Sequence, residues 1–340
     1  VPCPYSETLM PLVKAAKLSS KVFHKDIPQL PTRNGFGDGL VIAGERDERV
    51  MVLCADLTES TRTEAFKKAF PDRFVQLGVS EQSLAAIAAG MALAGRVPFI
   101  ASYACFSPGR NWEQIRTTAC LQEQNVKIAG AHAGISVGPD GATHQMNEDI
   151  AIMRVLPNMI VLVPGDAIET RKAVLAAIEH DGPVYIRFAR EKTPVFTTDK
   201  SPFGIGKAQI LHAGSDVAIV ACGPLVYEAL LAAKELEKHG ITAKVISSPS
   251  VKPLDEATLI AAAKQCGAVV TVEEAQAAAG LGGAVCELLS STYPVPIERI
   301  GLEDTFGQSG TPDELLEHYK LTAPWIVKAA KRAMKRKLLK

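Results

Sequence analysis

The sequence predicts an α/β protein: a doubly wound, mostly parallel sheet followed by a smaller α/β domain. Three observations predict it. Short runs that are apolar throughout recur along the chain, longer stretches of helical period separate them, and the alternation stops once near residue 195 before restarting. A strand apolar on both faces belongs in a parallel sheet covered by helices, and strands joined through helices imply right-handed crossovers.

Residues 1–30 carry Pro2, Pro4, Pro11 and Pro28 and read as a lead-in with one short helix. Over 31–193 the strand candidates are Val50–Leu53, Val97–Ile100, Val126–Ala129, Ile160–Val163 and Val184–Phe188. Helical patterns fall between them at 34–47, 81–95, 109–122, 145–154 and 166–179. Pro194, Pro202, Gly204 and Gly206 stand among polar residues, so 194–210 reads as a linker. The second domain, 211–340, repeats the alternation: Val217–Ala221, helix 225–239, Ala243–Ser247, helix 255–265, Ala268–Val272, helix 281–291 and Ile297–Ile300. From Lys328 to Lys340 there are seven basic residues and no acidic one. This is a solvated last helix whose cations suit its C-terminal dipole, or a docking patch for a polyanion or partner.

Composition narrows the function. The 340 residues hold 37 basic and 37 acidic side chains, and 47% are hydrophobic. Zero net charge argues against a nucleic-acid binder held by phosphate contacts, so any anion site must be local. No run of spanning length lacks charged and polar groups, which excludes a membrane helix. Seven cysteines without Cys-x-x-Cys spacing, several inside apolar runs, read as reduced thiols of a cytoplasmic protein.

Several segments can carry chemistry. The loop Ala131-His132-Ala-Gly134-Ile-Ser-Val-Gly138-Pro139-Asp140-Gly141-Ala-Thr143-His144 directly follows a strand, where open α/β sheets bind ligands. It suits a polyhydroxylated or proton-exchanging substrate, or it is a surface loop with incidental histidines. Glu81 opens an alanine-rich helix, where it complements the dipole beside a Ser80 cap. Alternatively it is buried and exchanges protons near neutral pH. Tyr103 and Phe106 line a flat slot or belong to the core. Arg33 and Arg190 stand at element edges as phosphate clamps or as surface ion pairs. Gly280-Leu-Gly282-Gly283 does not complete a dinucleotide fingerprint, and the histidines lack metal-ligand spacing, so no metal ligand is predicted.

Taken in order, these pieces resemble the second half of transketolase. They are Pro31-Thr-Arg33, Cys54-Ala-Asp56-Leu57-Thr-Glu-Ser60, Gly78-Val-Ser-Glu81-Gln, Ser102-Tyr103-Ala-Cys-Phe106, Ala131-His132-Ala-Gly, Gly138-Pro-Asp140-Gly-Ala-Thr-His144 and Phe188-Ala-Arg190. Leu281-Gly-Gly and Phe306-Gly-Gln-Ser-Gly310 extend the likeness into the second domain, although Ala275 stands where related chains often carry histidine.

The resemblance implies a pyrimidine-binding domain for thiamine diphosphate followed by the family's C-terminal domain. Glu81 is then the carboxyl that hydrogen-bonds the aminopyrimidine and is catalytic together with His132 and His144. Asp56, Leu57, Tyr103 and Phe106 lie against the cofactor. Arg33, Ser60 and Arg190 hold a sugar phosphate, Asp140 reads a hydroxyl, and the two histidines handle substrate oxygens and protons. The implied reaction moves a two-carbon ketol unit from a ketose phosphate to an aldose phosphate, as in the pentose phosphate pathway.

The family's magnesium–diphosphate half is missing. Gly37-Asp38-Gly39 has the right letters but starts a helical pattern, and no asparagine occurs from 40 to 110. The chain therefore reads as a fragment of a longer enzyme or as one subunit of a two-chain enzyme, the second being favoured because it runs from a lead-in to a basic end. An N-terminal subunit would hold Mg2+ and the diphosphate in a heterotetramer built on a homodimer. The alternatives are the second half of deoxyxylulose-phosphate synthase, a 2-oxo-acid dehydrogenase β subunit, or a non-catalytic paralogue. The synthase carries an acidic residue and arginine where this chain has Ala131-His132.

Overall fold

Two mostly parallel sheets share a hydrophobic cluster between them in the computed structural model, which describes residues 12–337. From Gln29 to Pro194 the elements are β1 (Gln29–Pro31), α1 (Thr32–Arg46), β2 (Val50–Cys54), α2 (Glu64–Ala69), β3 (Phe74–Gln76), α3 (Glu81–Leu93), β4 (Val97–Tyr103), α4 (Trp112–Gln114), β5 (Lys127–Ala131), α5 (Asp149–Arg154), β6 (Ile160–Leu162), α6 (Ala167–Glu179), β7 (Val184–Arg187) and β8 (Lys192–Pro194). Strands in the order β6-β7-β5-β4-β2-β3 run parallel. In β2, β4 and β5 the side chains are buried on both faces almost throughout, as continuous apolar runs require. On one face α1 and α6 pack on Phe99, Ile186 and Phe188. Phe36 stacks on Phe188 at 4.6 Å, and burying each ring contributes about 2–3 kcal/mol.

The second half runs β9 (Gln209–His212), β10 (Val217–Ala221), α7 (Val226–Glu237), β11 (Ala243–Ser247), β12 (Ser250–Lys252), α8 (Glu256–Cys266), β13 (Val269–Gln276), α9 (Leu281–Thr292), β14 (Ile297–Leu302), α10 (Pro312–His318) and α11 (Ala323–Lys337). Its sheet has the order β14-β13-β10-β11-β9, with β9 antiparallel. Local chemistry sets the helix ends: Asp166 and Asp255 accept the N–H three residues on, and Thr311 with Glu314 closes a capping box.

Three features go beyond the sequence reading. First, β12 leaves its own sheet and lies antiparallel on β6, closing the edge of the first. Lys252 Nζ anchors it on the carbonyls of Arg154 and Leu156. Second, the lead-in is bound to the second domain: Val13 N–H donates to Leu211 O, and Ala16, Val22 and Ile27 join that domain's core. β1 then pairs with β8, at the start of the expected linker. Residues 1–11 and 338–340, including Cys3, lie outside the described residues.

Third, α11 is amphipathic and packed. Ile326, Ala329, Ala330 and Ala333 are buried, while Arg332 and Arg336 both pair with Glu298. The pattern at 145–154 becomes helical only at Asp149, and α4 continues over Ile115–Cys120 with wider, π-type turns. There Thr117 and Thr118 bond back to the carbonyls of Glu113 and Gln114, which competes with the regular ladder. Among the described residues no helix is long and apolar enough to cross a membrane.

Candidate functional site

Parallel strands end at one edge of a sheet, so the segments after β2, β4, β5 and β7 gather there. His132 is the first residue beyond β5 and adopts a left-handed backbone (φ 54°). Its ring lies 4.0 Å from Tyr103, at the end of β4. Tyr103 and Phe106 are nearly parallel, 17° apart at 6.0 Å, and His144 stands edge-on to both at 6.2 and 5.6 Å. Both aromatic residues are half-buried, so they line a surface without being lost in the core.

Three arginines surround this group. Arg33, in the first turn of α1, donates from Nη1 to Ser60 O at 3.1 Å and contacts His132 Nε2 at 3.4 Å. A guanidinium only donates, so Nε2 is the accepting nitrogen of a neutral ring. Burial first, then the charges of Arg33, Arg190 and Arg62, lowers His132 to about 3. The imidazole is therefore uncharged at neutral pH. Its Nδ1 and the Arg33 Nε are buried without a hydrogen-bond partner among the described residues. Burial, and then the repulsion of Arg62 and Arg190, also lowers Arg33. Arg190 donates to Val137 O and pairs with Asp140 and Glu191 at 3.2 and 3.4 Å. Arg62 passed unremarked in the sequence; it sits at φ 64° and bonds Asn34.

Glu81 is the first residue of α3 and is only 3% exposed. Ser80 does not cap the helix; its hydroxyl donates to Leu77 O. Asn111 donates to Glu81 O at 2.9 Å, and its own Oδ1 is buried without a partner among the described residues. Burial, reinforced by the nearby Glu81 charge, pushes Cys105 up to about 12, so this thiol between Tyr103 and Phe106 stays protonated. Asp56 is exposed at φ 59° and accepts from Gln76; Leu57 is half-buried, its carbonyl held by Thr61.

The loop itself bends at Gly134, Gly138 and Gly141, all with positive φ, around a 3-10 turn at Ile135–Asp140. Behind it lies a buried polar network that sequence reasoning missed. Arg187 Nε donates to Asp149 at 2.8 Å, Tyr185 OH donates to the same oxygen at 2.7 Å, and Arg187 Nη2 reaches Glu274 O at 2.7 Å. Burial works against the Arg187 charge, but Asp149 and Glu274 outweigh it and raise the group. The available signal was a charge inside an apolar strand, Val184-Tyr-Ile-Arg187, which must find a partner.

Gly37-Asp38-Gly39 lies inside α1, where a side chain at either glycine would strike Arg62 O or Val174 within 2.8 Å. Its glycines serve helix packing. Among the described residues no three His, Cys, Asp or Glu side chains converge as metal ligands.

The chain matches the model of the transketolase pyrimidine-binding domain over residues 28–195 and that of the transketolase C-terminal domain over 206–326. The chain belongs to the transketolase family. A Methanocaldococcus jannaschii protein named as a transketolase C-terminal section is 43% identical, covering 89% of this chain and 96% of its own. A Clostridium sp. 6-deoxy-6-sulfo-D-fructose transketolase subunit is 39% identical over 90% and 95%. A solved split-gene transketolase, described as an inactive β4 tetramer, superposes with a TM-score of 0.86 at 46% identity, covering 91% of this chain and 99% of that one. The transketolase fold thus accounts for both sheets. The family depends on thiamine diphosphate, and the residues here fit its flat aminopyrimidine. A buried carboxyl stands at a helix start, two half-buried aromatic rings lie nearby, and several buried polar atoms have no partner among the described residues.

Proposed function

We propose that this chain is the C-terminal subunit of a two-chain transketolase, acting with an N-terminal subunit on sugar phosphates. The observation that carries this is the cluster of Arg33, Arg62 and Arg190 around a neutral histidine, an arrangement that a phosphate would relieve. When bound, thiamine diphosphate supplies the electron sink that lets the bond beside a ketose carbonyl break and a two-carbon ketol unit move.

The chain's own residues do the rest. Glu81 presents a carboxyl to the aminopyrimidine and holds its protonation state. Phe106 and Tyr103 cover the ring face, with Asp56 and Leu57 at its margin. His132, neutral and with Nε2 turned to Arg33, donates from Nδ1 to a sugar oxygen, while His144 moves protons at the neighbouring oxygen. Arg33, Ser60 and Arg190 take the phosphate, and Asp140, tied to Arg190, reads a hydroxyl. Mg2+ and the diphosphate fall to the partner, since this chain's Gly37-Asp38-Gly39 is spent on helix packing. Subunits of both kinds form a heterotetramer. The six described cysteines are free thiols, which suits the reducing cytoplasm.

The test is reconstitution. Mixed with a companion bearing the diphosphate-binding half, the chain should transfer ketol units between sugar phosphates and, alone, should not. Transfer by the isolated chain, or pyruvate decarboxylation in place of transfer, overturns the proposal.

A further inference from the structure

The loop carrying His132 is braced from behind by the second domain. Glu274, in β13, is 3% exposed, and its Oε1 accepts the Ser136 N–H at 2.7 Å. The same oxygen lies where any side chain at Gly134 would have to go, at 2.3 Å. Gly134 N–H is held in turn by Met146 O at 2.8 Å. Arg187 ties these parts together, donating to Glu274 O at 2.7 Å and to Met146 O at 3.4 Å while Asp149 neutralises it. Further along, Gln145 Nε2 bonds Ile135 O and Gly138 O within the loop and Gln308 O across the domain boundary at 3.0 Å. His132 is two residues from Gly134 and sits in a left-handed conformation that a non-glycine residue keeps only when its surroundings impose it.

We propose that Glu274 is a positioning residue for His132: by gripping Ser136 N–H and filling the space at Gly134, it fixes the backbone that aims the imidazole at Tyr103. The second domain thereby sets the geometry of a site whose side chains all come from the first. This deepens the function proposed above and rests on it only for the kinetic readout.

The experiment uses histidine-labelled chain, alone and assembled with its partner, in wild type, Glu274→Gln, Glu274→Ala and Glu287→Ala. Glu287 is the control, because it too joins the domains, through a pair with Arg154 that lies outside the loop. In Glu274→Ala the His132 ring resonance should move, and kcat of the assembled enzyme should fall by about tenfold to hundredfold with KM little changed. Glu274→Gln, whose amide oxygen still accepts Ser136 N–H, should restore both, and Glu287→Ala should alter neither. If Glu274→Ala does not fold, Glu274→Asp, which withdraws the acceptor by one methylene, gives the same readings. A His132 resonance unchanged in Glu274→Ala and Glu274→Asp, or moved equally by Glu287→Ala, overturns the proposal. A wild-type assembly without ketol transfer would sink the proposed function instead, while the resonance of the isolated chain still judges Glu274.

Discussion

The helix starts of the two domains make an instructive pair. In the first, α3 begins with Glu81, a buried carboxyl beside Cys105 and the aromatic pair. In the second, α9 begins at Leu281 between Gly280 and Gly282-Gly283, glycines that invite comparison with a phosphate loop, yet its first two N–H groups are already taken. Glu273 reaches across from β13 and accepts the N–H groups of Leu281 and Gly282 at 2.8 and 2.7 Å. Both starts place a carboxyl group against the positive end of the helix dipole. The difference is where the carboxylate comes from: one's own first turn leaves room beside it, whereas a neighbouring strand plugs the opening. On the proposed function, one domain receives a molecule at its helix start and the other braces.

Four measurements can break or sharpen that comparison. The largest effect belongs to the open start. Glu81→Ala should lower turnover of the assembled enzyme by about a thousandfold or more, within or beyond the usual span for a proton-handling group, and leave the thermal midpoint nearly unchanged. Undiminished turnover would favour a non-catalytic scaffold. Next comes the bracing network. Asp149→Ala strands the Arg187 charge in the interior and should cost about 3–5 kcal/mol in urea unfolding. A loss below about 1 kcal/mol would mean the network is decorative.

Third, burial raises Glu273 to about 7 despite its two backbone donors. Between its ordinary value of 4.5 and 7 the unfolded chain releases this proton first, so the folded state is favoured at low pH and loses that advantage as pH rises. Comparing wild type with Glu273→Gln at pH 4.5, 6 and 7.5 should show the wild type losing stability relative to the variant as pH rises, by no more than about 3 kcal/mol. A wild type that gains on the variant as pH rises would reverse the assignment. Smallest is a null titration: the His132 ring, lowered to about 3, should show no proton uptake from pH 8 down to about 4.5. A midpoint near 6.5 would show that burial and the arginines do not press on it.

Much of the scaffold was legible because its signals are local. Val217–Ala221 and Ala243–Ser247 are strands over those same residues, and the starts of α3 and α9 fall where the apolar period begins. What escaped depends on partners distant in sequence. β12 is three residues long and pairs with a strand about ninety residues earlier, so periodicity cannot reveal it. The site followed the same division. His132, Tyr103, Phe106 and His144 were chosen from position after strands and do cluster, and Arg33 with Ser60 joins them. Arg62 and Glu274 were missed because neither looks unusual along the chain; only folding brings one to the arginine group and the other behind the loop.

The borrowed strand carries an implication for how such a polypeptide can be cut or shuffled. Breaking the chain in its Pro- and Gly-rich middle would seem to free two tidy modules. It would instead strip Ser250–Lys252 from its neighbour and leave the backbone of Ile160–Leu162 bare along one border, a template on which other copies can add. Genes that trade this region should therefore move it whole, and a shortened copy ending near residue 200 should precipitate where the full one stays dispersed.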